Sequence, residues 1–248
     1  MTFFQEPGHT RFDLRFSIFG IPVRVHPFFW LMTLFFAGFV GDPLSILIWL
    51  VVVFVSILVH ELGHALTMRF FGQQARIVLY IGGGLAVPDS VFGSYGSALT
   101  TNEQILMLLA GPGAGFLLAG LTLGSVVALG GKIGIFFLYN LFPFPLIDLP
   151  TGGAWIGAII WALLWVNIFW GFINLVPAYP LDGGQVARHL WLKIDRWDGL
   201  RKSLWLSIIT GAIVALGGLL IMRSFYIAIL FGLLAFQSYQ TLKGRSML

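Results

Sequence analysis

His60-Glu61-Leu62-Gly63-His64 places two imidazoles and a carboxylate within five residues. On a helix, positions i and i+4 share a face, so both imidazoles point the same way. That is the arrangement two nitrogen ligands need to reach one Zn²⁺ at about 2.0–2.1 Å. Glu61 lies beside them, where its carboxylate can take a proton from an activated water. With 5 histidines and 3 glutamates in 248 residues, an HExxH string has a chance of roughly one in a thousand. A satisfied structural pair of histidines is the bland alternative. Against it stands the apolar setting, where an ionisable side chain is costly and by default functional.

A catalytic zinc site takes three protein ligands and keeps one position open. The chain has no cysteine, so no thiolate is available. His9, His26 and His189 read as surface or interfacial histidines. The carboxylates after the motif are Asp89, Glu103, Asp148, Asp182, Asp195 and Asp198. Asp182 stands out in Asn174-Leu175-Val176-Pro177-Ala178-Tyr179-Pro180-Leu181-Asp182-Gly183-Gly184. Its two prolines end a helix. Its two glycines permit close backbone approach and unusual dihedrals. A second string, Asn140 to Asp148, has the same Asn, Pro and Asp spacing but lacks the glycines. A Pro/Gly turn at a membrane surface is the plain reading of either string taken alone.

The elements that must hold these residues are membrane spans. Of the chain, 58% is apolar and 10% charged, with mean hydropathy +0.92. A soluble domain carries about 25% charge. The composition excludes a soluble enzyme, a disordered chain and a nucleic-acid binder. The first 24 residues are too polar for a secretory signal peptide. Apolar runs predict spans at 26–41, 44–71, 104–130, 154–176, 203–222 and 224–242. The stretch 133–147 is apolar but carries Pro143 and Pro145, and reads as interfacial or re-entrant. With the N-terminus inside, twelve Lys and Arg fall in inner segments, while only Lys132 and Arg223 fall outside. This bias puts both termini in the cytoplasm and brings the HExxH and Asp182 segments to one membrane face. Residues 75–87, with β-branched residues and then three glycines, predict a strand or hairpin at the membrane surface. The fold class expected is an all-α polytopic membrane protein of about six transmembrane helices, with that hairpin between the second and third.

With both strings in view, the chain resembles the site-2 protease family of zinc intramembrane metalloproteases. HELGH matches the family's first motif and NLVPAYPLDGG its second. Leu109-Ala110-Gly111-Pro112-Gly113-Ala114-Gly115 looks like the small-residue motif of its third core helix. The resemblance covers about residues 50–195. It departs at Tyr179, Gly115 and Gln185, where relatives often have Pro, Asn and Arg. It implies that His60, His64 and Asp182 bind zinc, that Glu61 is the general base, and that Asn174 positions substrate or the oxyanion. It further implies a single protease domain over 1–248, with a catalytic core at about 44–190. The peripheral helices would be 26–41, 203–222 and 224–242. The chain looks like a minimal prokaryotic-type member, without room for an appended PDZ or nucleotide-sensing domain. The implied activity is hydrolysis of transmembrane substrates near the cytoplasmic face of the cell membrane, with the lipid bilayer as partner and no nucleic acid. Two rival readings stand beside it. One is a zinc membrane protease of different fold with a glutamate as third ligand, for which Glu103 is the only downstream candidate. The other is a non-enzymatic scaffold or transporter.

Overall fold

The computed structural model describes residues 6–37, 42–88, 98–139, 142–150 and 153–245. Asn140 and Asp89 lie outside them. The chain divides into two compact units. The first comprises residues up to 98, 110–136 and 143–171; the second comprises 99–109, 137–142 and 172–248.

The first unit opens with a β-hairpin, β1 (Leu14–Ile18) and β2 (Ile21–Val25). Ile18 pairs with Ile21, leaving Phe19 and Gly20 as a two-residue loop with φ of 51° and 74°. Both positive values are those of a type I′ turn, whose twist suits a hairpin. Helix α1 (Pro27–Ala37) follows, capped by the buried His26, whose Nδ1 accepts from the Phe28 N–H. His26 is therefore part of the core, contrary to its expected interfacial place. Helix α2 (Pro43–Phe70) begins with Asp42 accepting from the Leu44 and Ser45 N–H groups and Pro43 at its first position. Its 28 residues give about 42 Å, more than the hydrocarbon layer needs.

Strands β3 (Ala75–Tyr80) and β4 (Gly83–Pro88) form the expected hairpin. It belongs to a larger sheet of order β1-β2-β3-β4, in which β2 and β3 run parallel and the other pairs antiparallel. Ile21, Val23, Val25, Ile77 and Leu79 are fully or almost fully buried, and α1 and α2 pack against the sheet. The polar N-terminal segment is tied down by charge. Arg24, itself buried, donates to Glu6, Asp13 and the carbonyls of Pro7 and Gly8, and Arg76 on β3 also donates to Glu6. These partners let two strands form where composition alone shows only a polar leader.

Helix α3 (Thr101–Ala128) leads to strands β5 (Lys132–Leu138) and β6 (Phe142–Asp148), then to α4 (Ala154–Leu175). The apolar stretch read as interfacial or re-entrant is thus a two-stranded sheet. In the second unit, amphipathic α5 (Asp182–Ile194) packs on α6 (Gly199–Leu220), and α6 packs on α7 (Phe225–Arg245). Gly211 and Gly218 let α6 and α7 approach closely, the small-residue packing usual between membrane helices.

Among the described residues, α2, α3, α4, α6 and α7 are long and apolar enough to cross a membrane, which makes this a multi-pass membrane protein. The expected first span, 26–41, is represented by the 11 residues of α1, about 16 Å of helix. Its remaining residues, 38–41, lie outside the described set.

Candidate metal centre

His60, Glu61 and His64 lie in the C-terminal half of α2, and all three are buried. The helix performs what the i, i+4 spacing requires. The two Nε2 atoms converge to 3.2 Å, with the rings 4.9 Å apart and nearly perpendicular. Two ligands at 2.0–2.1 Å from a tetrahedral zinc stand about 3.3 Å from each other, so the pair fits one ion without rearrangement.

Three glycines of the first unit clear space around this pair. A Cβ at Gly63 would sit 2.3 Å from the Ala110 carbonyl oxygen, so α2 and α3 cross there at backbone contact. A Cβ at Gly111 would sit 2.2 Å from His64 Nε2. A Cβ at Gly84, on β4, would sit 2.3 Å from Glu61 Cγ and 2.4 Å from its Oε1. No side chain larger than hydrogen fits at any of these positions unless backbone, ligand or base moves. Gly84 and Gly111, which pack against Glu61 and His64, are positions that the sequence alone does not single out. Gly111 lay within the small-residue motif and Gly84 within the triple glycine, but only the packing shows which side chains they accommodate.

The backbone of β4 has its own polarity. The Leu79 carbonyl accepts from the His26 N–H, so alternate residues of β3 face β2, and Arg76, Val78 and Tyr80 face β4. Their partners are Val87, Leu85 and Gly83. The N–H and C=O groups of Gly84 and Ala86 therefore point away from β3, on the terminal strand of the sheet. Gly84 thus combines an outward backbone with contact to Glu61.

In the second unit, Asp182 is the first residue of α5 and is buried. The helix start folds tightly onto its own approach. A Cβ at Gly183 would meet the Leu175 carbonyl oxygen at 2.1 Å, and one at Gly184 the Ala178 carbonyl carbon at 2.4 Å. These glycines serve close approach, as expected. They do not have positive φ, so the expected unusual dihedrals are absent. Asn174 is buried in the last turn of α4. His60 and His64 in the first unit and Asp182 in the second are thus buried side chains of metal-ligand type. Asp148, by contrast, ends β6, exposed.

Glu103 has a different use. Its Oε2 accepts from the Thr100 N–H at 2.7 Å while its own N–H donates to Thr100 Oγ1, a capping box at the start of α3. His9 is exposed beside Asp13 and Arg15, and His189 is half-buried on α5. Asp195, in the turn before α6, accepts from the Asp198 N–H, from Lys202 and from the Trp197 N–H, which holds its carboxyl down at about 2.

Comparison with known proteins places these observations. A family model described as Peptidase family M50 matches residues 48–218. A protein named zinc metalloprotease MJ0392, from Methanocaldococcus jannaschii, is 26% identical over 223 residues, 89% of this chain and 53% of its own. The putative zinc metalloprotease sll0528 of Synechocystis sp. is 30% identical over 189 residues, 70% of this chain and 42% of its own. The chain thus spans about half the length of the curated relatives it matches. Among solved structures, the site-2 protease from Methanocaldococcus jannaschii superposes with a TM-score of 0.58, covering 93% of this chain and 95% of that one at 22% identity. That likeness is one of fold.

Proposed function

Since the chain belongs to peptidase family M50, we propose that it is a zinc-dependent intramembrane protease that hydrolyses peptide bonds of transmembrane substrates near the cytoplasmic membrane face. The observation that carries this reading is the convergence of the two imidazole Nε2 atoms at 3.2 Å, with the buried Glu61 adjacent in sequence. His60, His64 and Asp182 are the residues assigned to hold the metal. When bound, zinc supplies Lewis acidity that brings the pKa of a water to about 7 and polarises a carbonyl.

The chain's own residues do the rest. Glu61 accepts the proton of the attacking water and returns it to the leaving amine. Asn174 is assigned to hold the substrate carbonyl as negative charge develops on its oxygen. A transmembrane helix keeps its carbonyls in its own hydrogen bonds, so it must unwind before cleavage. We assign the outward edge of β4 as the place where the unwound segment adds as a strand, through backbone pairing with little sequence preference. Gly84 would then present the scissile region to Glu61 across a gap that no side chain fills.

Two rivals lose their support. A zinc protease of different fold often takes a glutamate as third ligand, and Glu103, the only downstream glutamate, is engaged in the capping box. A non-enzymatic scaffold does not require Glu61 buried beside the two histidines. We assign both termini to the cytoplasm of the cell membrane on the charge bias. That assignment requires an even number of crossings, and we assign the sixth, beside the five long helices, to the segment 26–41.

The test measures zinc content and cleavage of a membrane-embedded helical reporter. Glu61→Gln should keep zinc and lose turnover. Asp182→Asn should lose both, and Asp148→Asn should keep both. Residual turnover in Glu61→Gln at the level of the natural chain would refute the assignment of the base. Loss of zinc from Asp148→Asn with retention in Asp182→Asn would refute the ligand set.

A further inference from the structure

The β5–β6 hairpin plays no part in the chemistry above, yet its surface is unusual. From Ile133 to Ile147 it carries no charged residue; Lys132 and Asp148 stand only at its open end. It is joined at both ends to helices of spanning length, α3 and α4. Ile133, Ile135, Phe137, Phe142 and Leu146 are all exposed, Ile135 at 70%. One of its large side chains is fully buried. Phe144 is 3% exposed and packs on Trp165 of α4 at 5.5 Å, within a ladder of rings from Trp161 to Phe169.

The strand backbone adds a second, independent observation. A Cβ at Gly134 would lie 3.7 Å from Leu146 Cβ, and the Phe136 and Phe144 rings are 5.6 Å apart. Residue 134 therefore stands opposite 146, and 136 opposite 144. Pro143 and Pro145 share the other parity. Proline is tolerated in a strand where its missing N–H would have faced away from the partner. Both prolines thus lie on the outer edge of β6 and remove two of its donors. An unpaired N–H is what hydrocarbon does not tolerate, so open edges are not found exposed to lipid. The edge of β5 keeps its donors at Ile133, Ile135 and Phe137, so the two edges are not equivalent.

We propose that the β5–β6 hairpin is immersed in the bilayer, with the proline-bearing edge of β6 and the face of Ile133, Ile135 and Phe137 covered by lipid acyl chains. Seven-residue strands reach about 23 Å, enough to pass through one leaflet's share of a hydrocarbon core about 30 Å thick. Phe144 seats the hairpin on α4, and the charged pair Lys132 and Asp148 marks the level of the membrane surface.

The chain has no cysteine, which makes single-site labelling direct. Ile135→Cys, Phe137→Cys and, as an aqueous reference, Trp197→Cys (Trp197 is 98% exposed) would each be placed in the full chain and reconstituted in phosphatidylcholine vesicles. At 135 and 137 the expected results are loss of labelling by a membrane-impermeant maleimide present on both sides, and blue-shifted nitrobenzoxadiazole emission quenched by acyl-chain doxyl lipids. Trp197→Cys should behave in the opposite way. Labelling at both 135 and 137 as fast as at 197 would overturn the proposal, because the hairpin would then face water. Protection from maleimide without quenching by doxyl lipid would overturn it as well, because protein would then cover the face.

Discussion

The two hairpins after α2, β3–β4 and β5–β6, are built from similar lengths of chain and end up with opposite edges. β4 turns the N–H and C=O groups of Gly84 and Ala86 outward, and Gly84 touches the Glu61 carboxylate. β6 carries Pro143 and Pro145 at the matching outward positions and seats Phe144 on Trp165 of the aromatic ladder of α4. A terminal strand with donors next to a base can receive a polypeptide; one that has lost two of its three outward donors leaves fewer unpaired groups against hydrocarbon. In a chain this apolar, side-chain hydrophobicity does not separate the two roles, because both hairpins are hydrophobic. The count of outward backbone donors does.

The largest effect expected to sharpen this contrast comes from a single methyl group or little more. Gly84→Val should displace Glu61 and lower kcat/KM by ~10²–10⁴, the range general-base catalysis supplies, with zinc retained. Gly134→Ala on the other hairpin adds a Cβ at ordinary contact distance and should leave cleavage unchanged. Equal losses in the two variants would erase the distinction.

An intermediate effect should follow from exchanging donors. Ala86→Pro removes an outward N–H without breaking the β3–β4 ladder, and should cost about 1 kcal/mol, roughly fivefold in kcat/KM. The converse, Pro145→Ala, restores a donor on β6 and should not change cleavage. Proline at Val78 or Tyr80 is a poorer test, because those residues face β4 and the ladder itself would fail. Cleavage kinetics with a helical reporter decide the matter; an unaffected Ala86→Pro would remove β4 from substrate binding.

The smallest effect concerns acid. The Glu6 carboxyl is held below its usual range by the hydrogen bond from Arg76, with Arg24 adding its charge. Burial pushes the Asp13 carboxyl up, but the Thr10 hydroxyl and N–H and the Arg24 guanidinium outweigh it and hold it well below the usual range. Both carboxyls are depressed in the folded chain. Their stabilisation is therefore complete above the unfolded-state values near 4 and is lost as pH falls through the folded ones. Amide exchange in β1 to β3 should quicken modestly between pH 5 and about 2, after correction for intrinsic rates. The amides of β5, which has no such ion pair among the described residues, should not respond. Parallel changes in both sheets would break the comparison at this level.

Much of the candidate site is legible in the sequence. HELGH and the Asn174–Gly184 string stand at fixed spacings, and their chemistry follows from residue type. The spans were legible because bilayer thickness sets their length, and 75–87 because glycine and β-branched residues mark a hairpin. The β1–β2 hairpin was not legible: Arg24 is buried between valines, and its partners Glu6 and Asp13 are distant in sequence. α5 was missed because 13 amphipathic residues resemble a basic loop in a charge count. The roles of Gly84 and Gly111 were hidden for another reason. A glycine carries no chemistry, and what it makes room for belongs to other elements.

Every first- or second-position base change in a glycine codon replaces the residue or ends the chain, so codons 84 and 111 tolerate only silent third-position changes if the clearances described above are required. A saturation screen scored by cleavage should therefore rank these two positions with His60, Glu61 and His64. A reader of the screen alone would add to the active site two residues that contribute no functional group to it.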